Sequence, residues 1–533
     1  MIEIESILKK AEQYDVITFD VFDTLIIRDV RKPADIFRIT YGELGRYLRV
    51  IAEIIARKTT KKEVSLKDID RFFLLKAERE IETEKQFCRA NPVIQKVVNR
   101  LIGSGKQVFA ISDMYLDDET LSGILKKSGY DIPLMVSCKY GCTKKEGKLF
   151  NEFLTKYGFS PDKVLHIGDD FLSDVSGVKK AGIESLHIEK DVSDQAHLKS
   201  NLKNIEYTSF IDHGLNGISD PVTRMGYEIV GPIILSFCNW VHEKKKEFGF
   251  DRLFFLSRDM RMVYDVYREM YGDDEACYLR ISRKSLAYAK DNPDDFIEYL
   301  KKEKCFGNCA IVDTGWVGIA QVEIEKYCKM IDSSTDLGGL YMGTKKAYTE
   351  LERSARSDSY FYKTGYERFK CASVTSFWES LIGSNESRVI AYHDGSAVLE
   401  DTGCSDERGG IGDGARAFIK DWVSIKNNKA LERKYVRASF ERLFYRPTVK
   451  DMNELGGLCY EDVIYSDIIS YDKKCNYILN PRKFVKDLRT SAWKGAFFKN
   501  TGVFYPLLLS IYCLIAPLSI YKLDKSKFDK TAY

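Results

Sequence analysis

Six residues in the N-terminal third of the chain have the types and spacing to move a phosphoryl group. Asp20 closes the apolar run VITF, so its carboxylate projects from a strand tip, where a nucleophile belongs in an α/β sheet. Ser112 closes QVFAIS, and its hydroxyl and the neighbouring amides can hold a phosphoryl oxygen. Lys144 follows the next apolar run and can neutralise charge on both nucleophile and phosphate. Asp169 and Asp174, in HIGDDFLSD, offer hard oxygen ligands for Mg2+. Asp23 is a candidate proton donor, with the capping of the following turn as its duller role. An anionic nucleophile, a metal and a cation around one phosphoryl group suit a reaction catalysed mostly by positioning and charge stabilisation.

The elements that must position these groups alternate. DVITFD, KQVFAISD, LMVSC and KVLHIGDD read as strands buried on both faces. Amphipathic stretches such as NPVIQKVVNRLIGSG, stopped by glycines, lie between them. This rhythm predicts a doubly wound, Rossmann-like parallel sheet. One interruption, about 28–90, is helical and charged and follows the first strand directly, which places it over the C-terminal end of that strand. From about 191 to 222 the periodicity weakens, and GLNGISDPVT reads as linker.

The pieces FDVFDTL, ISDMYL, TKKEGKLF and HIGDDFLSDVSGVKKAGI, in this order, resemble the haloacid dehalogenase (HAD) superfamily of aspartate-nucleophile enzymes over roughly residues 14–190. The resemblance implies Asp20 as nucleophile, Ser112 as phosphate-binding residue and Lys144 as the lysine. Lys144 is preferred to Lys145 and Lys148 because it stands six before Phe150, as the family lysine often does before its aromatic. It implies Mg2+ held by Asp20, Asp169, Asp174 and the backbone carbonyl of Phe22, with the insertion at 28–90 as a cap. One position departs. Where most of the family's phosphatases carry a second aspartate, two after the nucleophile, this chain has Phe22. An aromatic there resembles the dehalogenases, yet those use no metal, and GDDFLSD is kept. The proton donor is then Asp23, an acid from the cap, or unnecessary because the leaving group is good. Losing general acid catalysis costs about 10²–10⁴-fold with a poor leaving group.

A second alternation begins near residue 223 and runs to about 400, with DRLFFLSRD, ACYLRIS, CAIVDTG and LGGLYMG as strands. Its polar residues gather at predicted strand ends: Ser257, Arg258 and Asp259; Ser282, Arg283 and Lys284; Asp313, Thr314 and Gly315, with Gly318 opening a helix. Cations around a Gly-containing strand-to-helix turn suit an anionic ligand such as a phosphate or nucleotide. Residues 401–533 read as mostly helical. DRLFFLSRDM, IVDTGWVGIAQ and FWESLIGSNESRVIAY resemble a glycosyltransferase-like region that accompanies HAD domains in bacterial surface-polysaccharide proteins, which implies glycan assembly at the inner membrane face. The uncharged 19-residue run Val503–Tyr521, flanked by lysines, is near the minimum for a bilayer span and equally suits peripheral contact or a buried helix.

Composition bounds the alternatives. A chain of 533 residues predicts two or three domains. A net charge of +3, with Lys and Arg scattered among acids, gives no nucleic-acid-binding stripe. Thirteen irregularly spaced cysteines and six histidines give no zinc pattern and fit reduced thiols in a cytosol. The charged, amphipathic N-terminus contains no apolar signal core, which places the start of the protein in the cytoplasm. The expectation is a Mg2+-dependent HAD-type phosphatase or phosphotransferase acting on a sugar or polyol phosphate for a surface glycan. Two alternatives stand beside it: a bifunctional protein with a glycosyltransferase-like second half, and a non-catalytic scaffold in which Phe22 marks a degenerate site.

Overall fold

The computed structural model describes residues 4–60, 62–188, 198, 201, 203–272, 274–345, 354–363, 365–384, 386–400, 409–455, 459–460, 466–467, 477, 480–501 and 507–512. The chain divides into two compact units, Met1–Gly217 and Ile218–Tyr533.

The first unit is built on five parallel strands. In chain order its elements begin with α1 (Ile4–Ala11), β1 (Val16–Phe19) and β2 (Ile26–Arg28). Then come α2 (Asp35–Thr59), α3 (Leu66–Asp70), α4 (Arg79–Phe87), β3 (Cys88–Ala90) and α5 (Pro92–Gly103). The rest are β4 (Gln107–Ser112), α6 (Asp118–Lys127), β5 (Leu134–Val136), α7 (Ser137–Tyr140), α8 (Lys148–Tyr157), β6 (Val164–Gly168), α9 (Val178–Lys180), β7 (Glu184–His187) and α10 (Ile205–Gly214). The sheet order is β5-β4-β1-β6-β7. All four residues of β1 are buried, as a central strand covered on both faces requires. Its neighbours pair in register, Phe19 with Ala110 on one side and Ile167 on the other. Chain order reverses between β1 and β6, and the crevice beyond their carboxyl ends is where an open α/β sheet binds its ligand. Helix α5 shows how locally the flanking layer is specified. Asn91 accepts from Val93 N–H at 3.2 Å, Pro92 starts the helix, and Ile94, Val97, Val98 and Leu101 form the buried stripe.

The insertion forms a helical cap on a two-stranded neck. β2 and β3 pair antiparallel, Ile26 opposite Ala90 and Arg28 opposite Cys88, and α2–α4 lie between them. Buried ion pairs fix the cap internally: Arg49 donates to Glu80 at 2.7 and 2.8 Å with both side chains 0% exposed. Arg28 Nε meets Glu84 at 3.0 Å. Gly42, at φ 76° and ψ −178°, breaks the helical path inside α2.

The stretch read as linker, 191–222, is corrected where it is described: 205–214 is α10, and Ile205, Tyr207, Phe210 and Ile211 are buried in it. Thr208, Ser209 and Asp212 are buried too, so no polar face is left to give a 3.6-residue contrast in the sequence.

The second unit holds another five-stranded parallel sheet: β8 (Arg252–Leu256), β9 (Ala276–Leu279), β10 (Cys309–Trp316), β11 (Gly338–Thr344) and β12 (Ser357–Phe361), ordered β12-β11-β10-β8-β9. Its order reverses between β8 and β10. The helix Ile411–Lys426 packs so closely on the helical run from Pro221 to Phe248 that a Cβ at Gly414 would lie 1.9 Å from the Thr223 carbonyl. The described helices beyond residue 400 therefore share one unit with the second sheet. No helix among the described residues is long and apolar enough to cross a membrane, and most of Val503–Tyr521 lies outside them.

Candidate active site

The carboxyl ends of β1, β4 and β6 bring the expected groups together. The Asp20 N–H donates to the Ile167 carbonyl at 2.9 Å, which holds the first residue beyond β1 beside the end of β6. Lys144 Nζ donates to Asp20 Oδ1 and, at 2.6 Å, to Asp174 Oδ1. Ligand oxygens of Asp20, Asp169 and Asp174 lie within 4.8 Å of one another. All are oxygen donors of the hard kind that Mg2+ takes. Ser112 is 1% exposed at the end of β4, and its hydroxyl makes no hydrogen bond among the described residues, so it remains available to a ligand.

Burial sets the electrostatics. It would push the Lys144 ammonium toward neutrality, but Asp20, Asp174 and Asp113 outweigh it and raise the lysine well above its ordinary range. Burial likewise raises Asp20, against the lowering effect of Lys144 and with a further push from Asp174 and Asp169. Asp174 is held well below the usual carboxylate range, because Lys144 and His166 overcome its burial. Lys144, Asp20 and Asp174 form the centre of one set of interacting charges in which the lysine is the central cation.

Several members of this set are absent from the sequence reading. His166 points from within β6: Nε2 is 3.1 Å from Asp174 Oδ1 and Nδ1 is 2.8 Å from Thr18 Oγ1. Burial lowers its pKa, so the ring is neutral. Asp113 accepts the Lys144 backbone N–H on both oxygens, at 2.8 and 3.0 Å, and so fixes where the lysine starts. The Thr24 hydroxyl donates to Asp169 Oδ1 at 3.2 Å. A polar residue inside an otherwise apolar strand was the one available signal for His166. Asp170 has a structural role, capping the turn of π-helix over Phe171–Gly177 through Ser173 N–H at 2.8 Å. Two glycines admit no side chain. A Cβ at Gly168 would lie 2.4 Å from the Asp174 carboxylate, and one at Gly177 would lie 2.2 Å from the Lys144 carbonyl.

Phe22 has a partner of its own. The Arg28 guanidinium lies 3.5 Å over its ring centre, and Glu84 from the cap holds the same arginine. Asp23, at φ 62°, donates its N–H to the Ile26 carbonyl at 2.7 Å, closing the turn between Asp20 and the neck.

The second-unit residues divide. Asp259 and Asp313 sit at the β8/β10 reversal, bridged by Thr314, whose hydroxyl is 3.4 Å from Asp259 Oδ2 and 3.5 Å from Asp313 Oδ1. Burial pushes Asp313 up to about 6. Arg283 is exposed on the first turn of the helix that follows β9. Lys284 pairs with Glu400 at 2.7 Å, with Arg388 and Arg258 adding to the positive surroundings of that carboxylate. Ser282 caps its own helix. The switch point is thus acidic, while two of the expected cations, Arg258 and Lys284, gather around Glu400.

Residues 141–213 match the family model for HAD-hydrolase-like proteins. No curated protein matches the chain. Among solved structures, a dehalogenase with an intermediate complex is 15% identical, with 36% of this chain and 90% of that chain covered and a TM-score of 0.27. The HAD phosphatase from Thermococcus onnurineus is 18% identical over 36% and 96%, with a TM-score of 0.27. The putative HAD-hydrolase YfnB from Bacillus subtilis, bound to magnesium, is 16% identical over 34% and 91%, with a TM-score of 0.28. The HAD-hydrolase-like match spans Lys144, Asp169 and Asp174, so it covers the lysine and the second acidic pair of this crevice.

Proposed function

We propose that the first unit is a Mg2+-dependent phosphatase or phosphotransferase that works through an aspartyl-phosphate at Asp20. The observation that carries this reading is Lys144 Nζ held between Asp20 and Asp174, with Asp169 completing a three-carboxylate oxygen cluster. Asp20 Oδ attacks phosphorus, the bond to the leaving oxygen breaks, and that oxygen departs with the electron pair. Water or an alcohol then attacks the phosphorus of the acyl phosphate and releases Asp20. Lys144 favours the anionic form of the nucleophile against its burial and neutralises the equatorial oxygens, and the Ser112 hydroxyl holds one of them. Bound at Asp20, Asp169, Asp174 and the Phe22 carbonyl, Mg2+ would supply the remaining positive charge.

Phe22 leaves no carboxyl at the usual donor position, and its ring is occupied by Arg28. The substrate therefore carries a good leaving group, or an acid is supplied by Asp23 or the cap. A sugar or polyol phosphate serving a surface glycan is supported by the resemblance of the second half to polysaccharide-associated proteins. Phosphate release should be screened over sugar phosphates, polyol phosphates, nucleotides and aryl phosphates, with and without Mg2+. Asp20→Asn should abolish release; undiminished turnover by that variant refutes the assignment. Aryl phosphates, which need no acid, should turn over faster than alkyl phosphates by about 10²-fold or more.

A further inference from the structure

Helix α2 of the cap turns its bulk outward. Beyond the break at Gly42, Gly45, Ala52 and Ala56, with Arg49, form its buried face. Leu44, Tyr47, Leu48, Ile51, Ile54 and Ile55 are 74, 57, 45, 51, 48 and 38% exposed. At 3.6 residues per turn these six side chains share one stripe roughly 120° wide. A surface helix ordinarily places its large aliphatic residues on the core and its polar residues outside; here small residues make the inner contact. The patch continues beyond the helix through Phe72, Leu74 and Leu75, 42, 99 and 42% exposed. Leu75 Cδ1 sits 3.5 Å from where a Gly45 Cβ would stand, so the two parts adjoin.

We infer that the chain self-associates through this face, two copies packing their α2 helices antiparallel about a two-fold axis near Ile51. Area favours a protein partner of this size. With side chains of on the order of 150–200 Å² each, the nine residues expose about 900 Å² of mostly apolar surface. That is beyond the few hundred Å² a monomer usually leaves uncovered and close to the roughly 800 Å² each partner contributes to a standard interface. Charge selects the orientation. The stripe opens at Glu43, which is 56% exposed, and closes at Arg57 and Lys58. An antiparallel pair sets Glu43 of one copy against Lys58 of the other, whereas a parallel pair would align like charges. The arrangement is isologous, so it closes on itself and forms no filament.

The 533-residue chain should sediment as a dimer that dissociates on dilution. Ile51→Asp and Leu48→Asp, both on exposed positions, should weaken the dimer at least tenfold while far-UV circular dichroism keeps the native spectrum. Lys58→Glu should weaken it, and adding Glu43→Lys should restore it. Ile51→Cys should cross-link to a covalent dimer under oxidation, in excess over the wild-type protein; this readout introduces no charge and does not rest on the aspartate variants. A monomer at every concentration, a dimer indifferent to Ile51→Asp and Leu48→Asp, or binding of a monomer to anionic lipid vesicles through the same residues would each overturn the inference.

Discussion

Replacing Lys144 with Met removes the central cation of the site and keeps its length. In the intact protein Lys144 is 2% exposed and bridges Asp20 and Asp174, whose side chains are 11 and 1% exposed. Without it, carboxylates whose oxygens lie within 4.8 Å face one another in a dry crevice. At that separation and an effective dielectric constant of about 20, one such pair costs about 3.5 kcal/mol. Truncating one partner of a buried ion pair costs about 3–5 kcal/mol, the same order. With a urea dependence of about 2 kcal/mol per molar, the first unit should unfold roughly 1–2 M earlier. The penalty depends on pH. In the intact protein the lowered pKa of Asp174 contributes stability that is present above the unfolded carboxylate value and is lost as pH falls below it. In the variant the sign reverses: the buried carboxylates take up protons more readily than in the unfolded chain, so stability rises as pH falls. The deficit against the intact protein should therefore shrink as pH falls from the neutral range. All five tryptophans, residues 240, 316, 378, 422 and 493, belong to the second unit. Tryptophan emission is therefore an internal control that should not move, while far-UV circular dichroism in metal-free buffer follows both units. A variant that unfolds with the intact protein at the higher pH, or whose deficit does not shrink on acidification, would refute the charge-coupled reading.

Thr24→Val deletes the hydroxyl that donates to Asp169, so the Mg2+ needed for half-maximal phosphate release should rise about 10–100-fold, as for other groups that orient metal ligands. Gly177→Ala forces a methyl against the Lys144 carbonyl and should destabilise the first unit by about 1–3 kcal/mol in urea unfolding, with loss of turnover. Glu84→Ala leaves the Arg28 charge buried over Phe22 without its counter-ion; faster hydrogen exchange across α4 and the β2/β3 neck should report the loosening. Asp313, raised to about 6, adds stability to the second unit as pH falls through that value and loses it above. Asp313→Asn should flatten this dependence in the tryptophan-detected transition and, because Asp313 keeps partial solvent access, stabilise at about pH 8 by only about 1–2 kcal/mol.

The parts of the site legible in the sequence were those tied to a strand end. A buried parallel strand is a continuous apolar run, so VITF, QVFAIS and VLHIG mark where Asp20, Ser112 and Asp169 emerge. Edge strands carry no such signal. β7, ESLH, is exposed at both ends, and β12, SDSYF, begins with polar residues, so both were invisible to a search for apolar runs. Contacts between residues distant in sequence were invisible for another reason. Nothing near Thr24 announces Asp169, 145 positions away, and nothing near Phe22 announces a guanidinium on its ring. In the second unit, strand-end position alone does not aim a long side chain. Lys284 turns to Glu400, while short Asp259, Asp313 and Thr314 stay where the backbone puts them.

The histidine threaded between Thr18 and Asp174 also provides an observable that needs no substrate. Its ring is fully buried, its Nε2 faces a carboxylate that can only accept, and its Nδ1 faces a hydroxyl that can donate. One tautomer is thereby fixed, with the proton on Nε2. That proton is shielded from water and should exchange slowly, giving an imidazole resonance far downfield in a proton NMR spectrum that is lost in a His166→Gln variant. Because the same carboxylate belongs to the metal-ligand cluster, the resonance should shift as Mg2+ is titrated in, reporting occupancy of the site from inside the sheet.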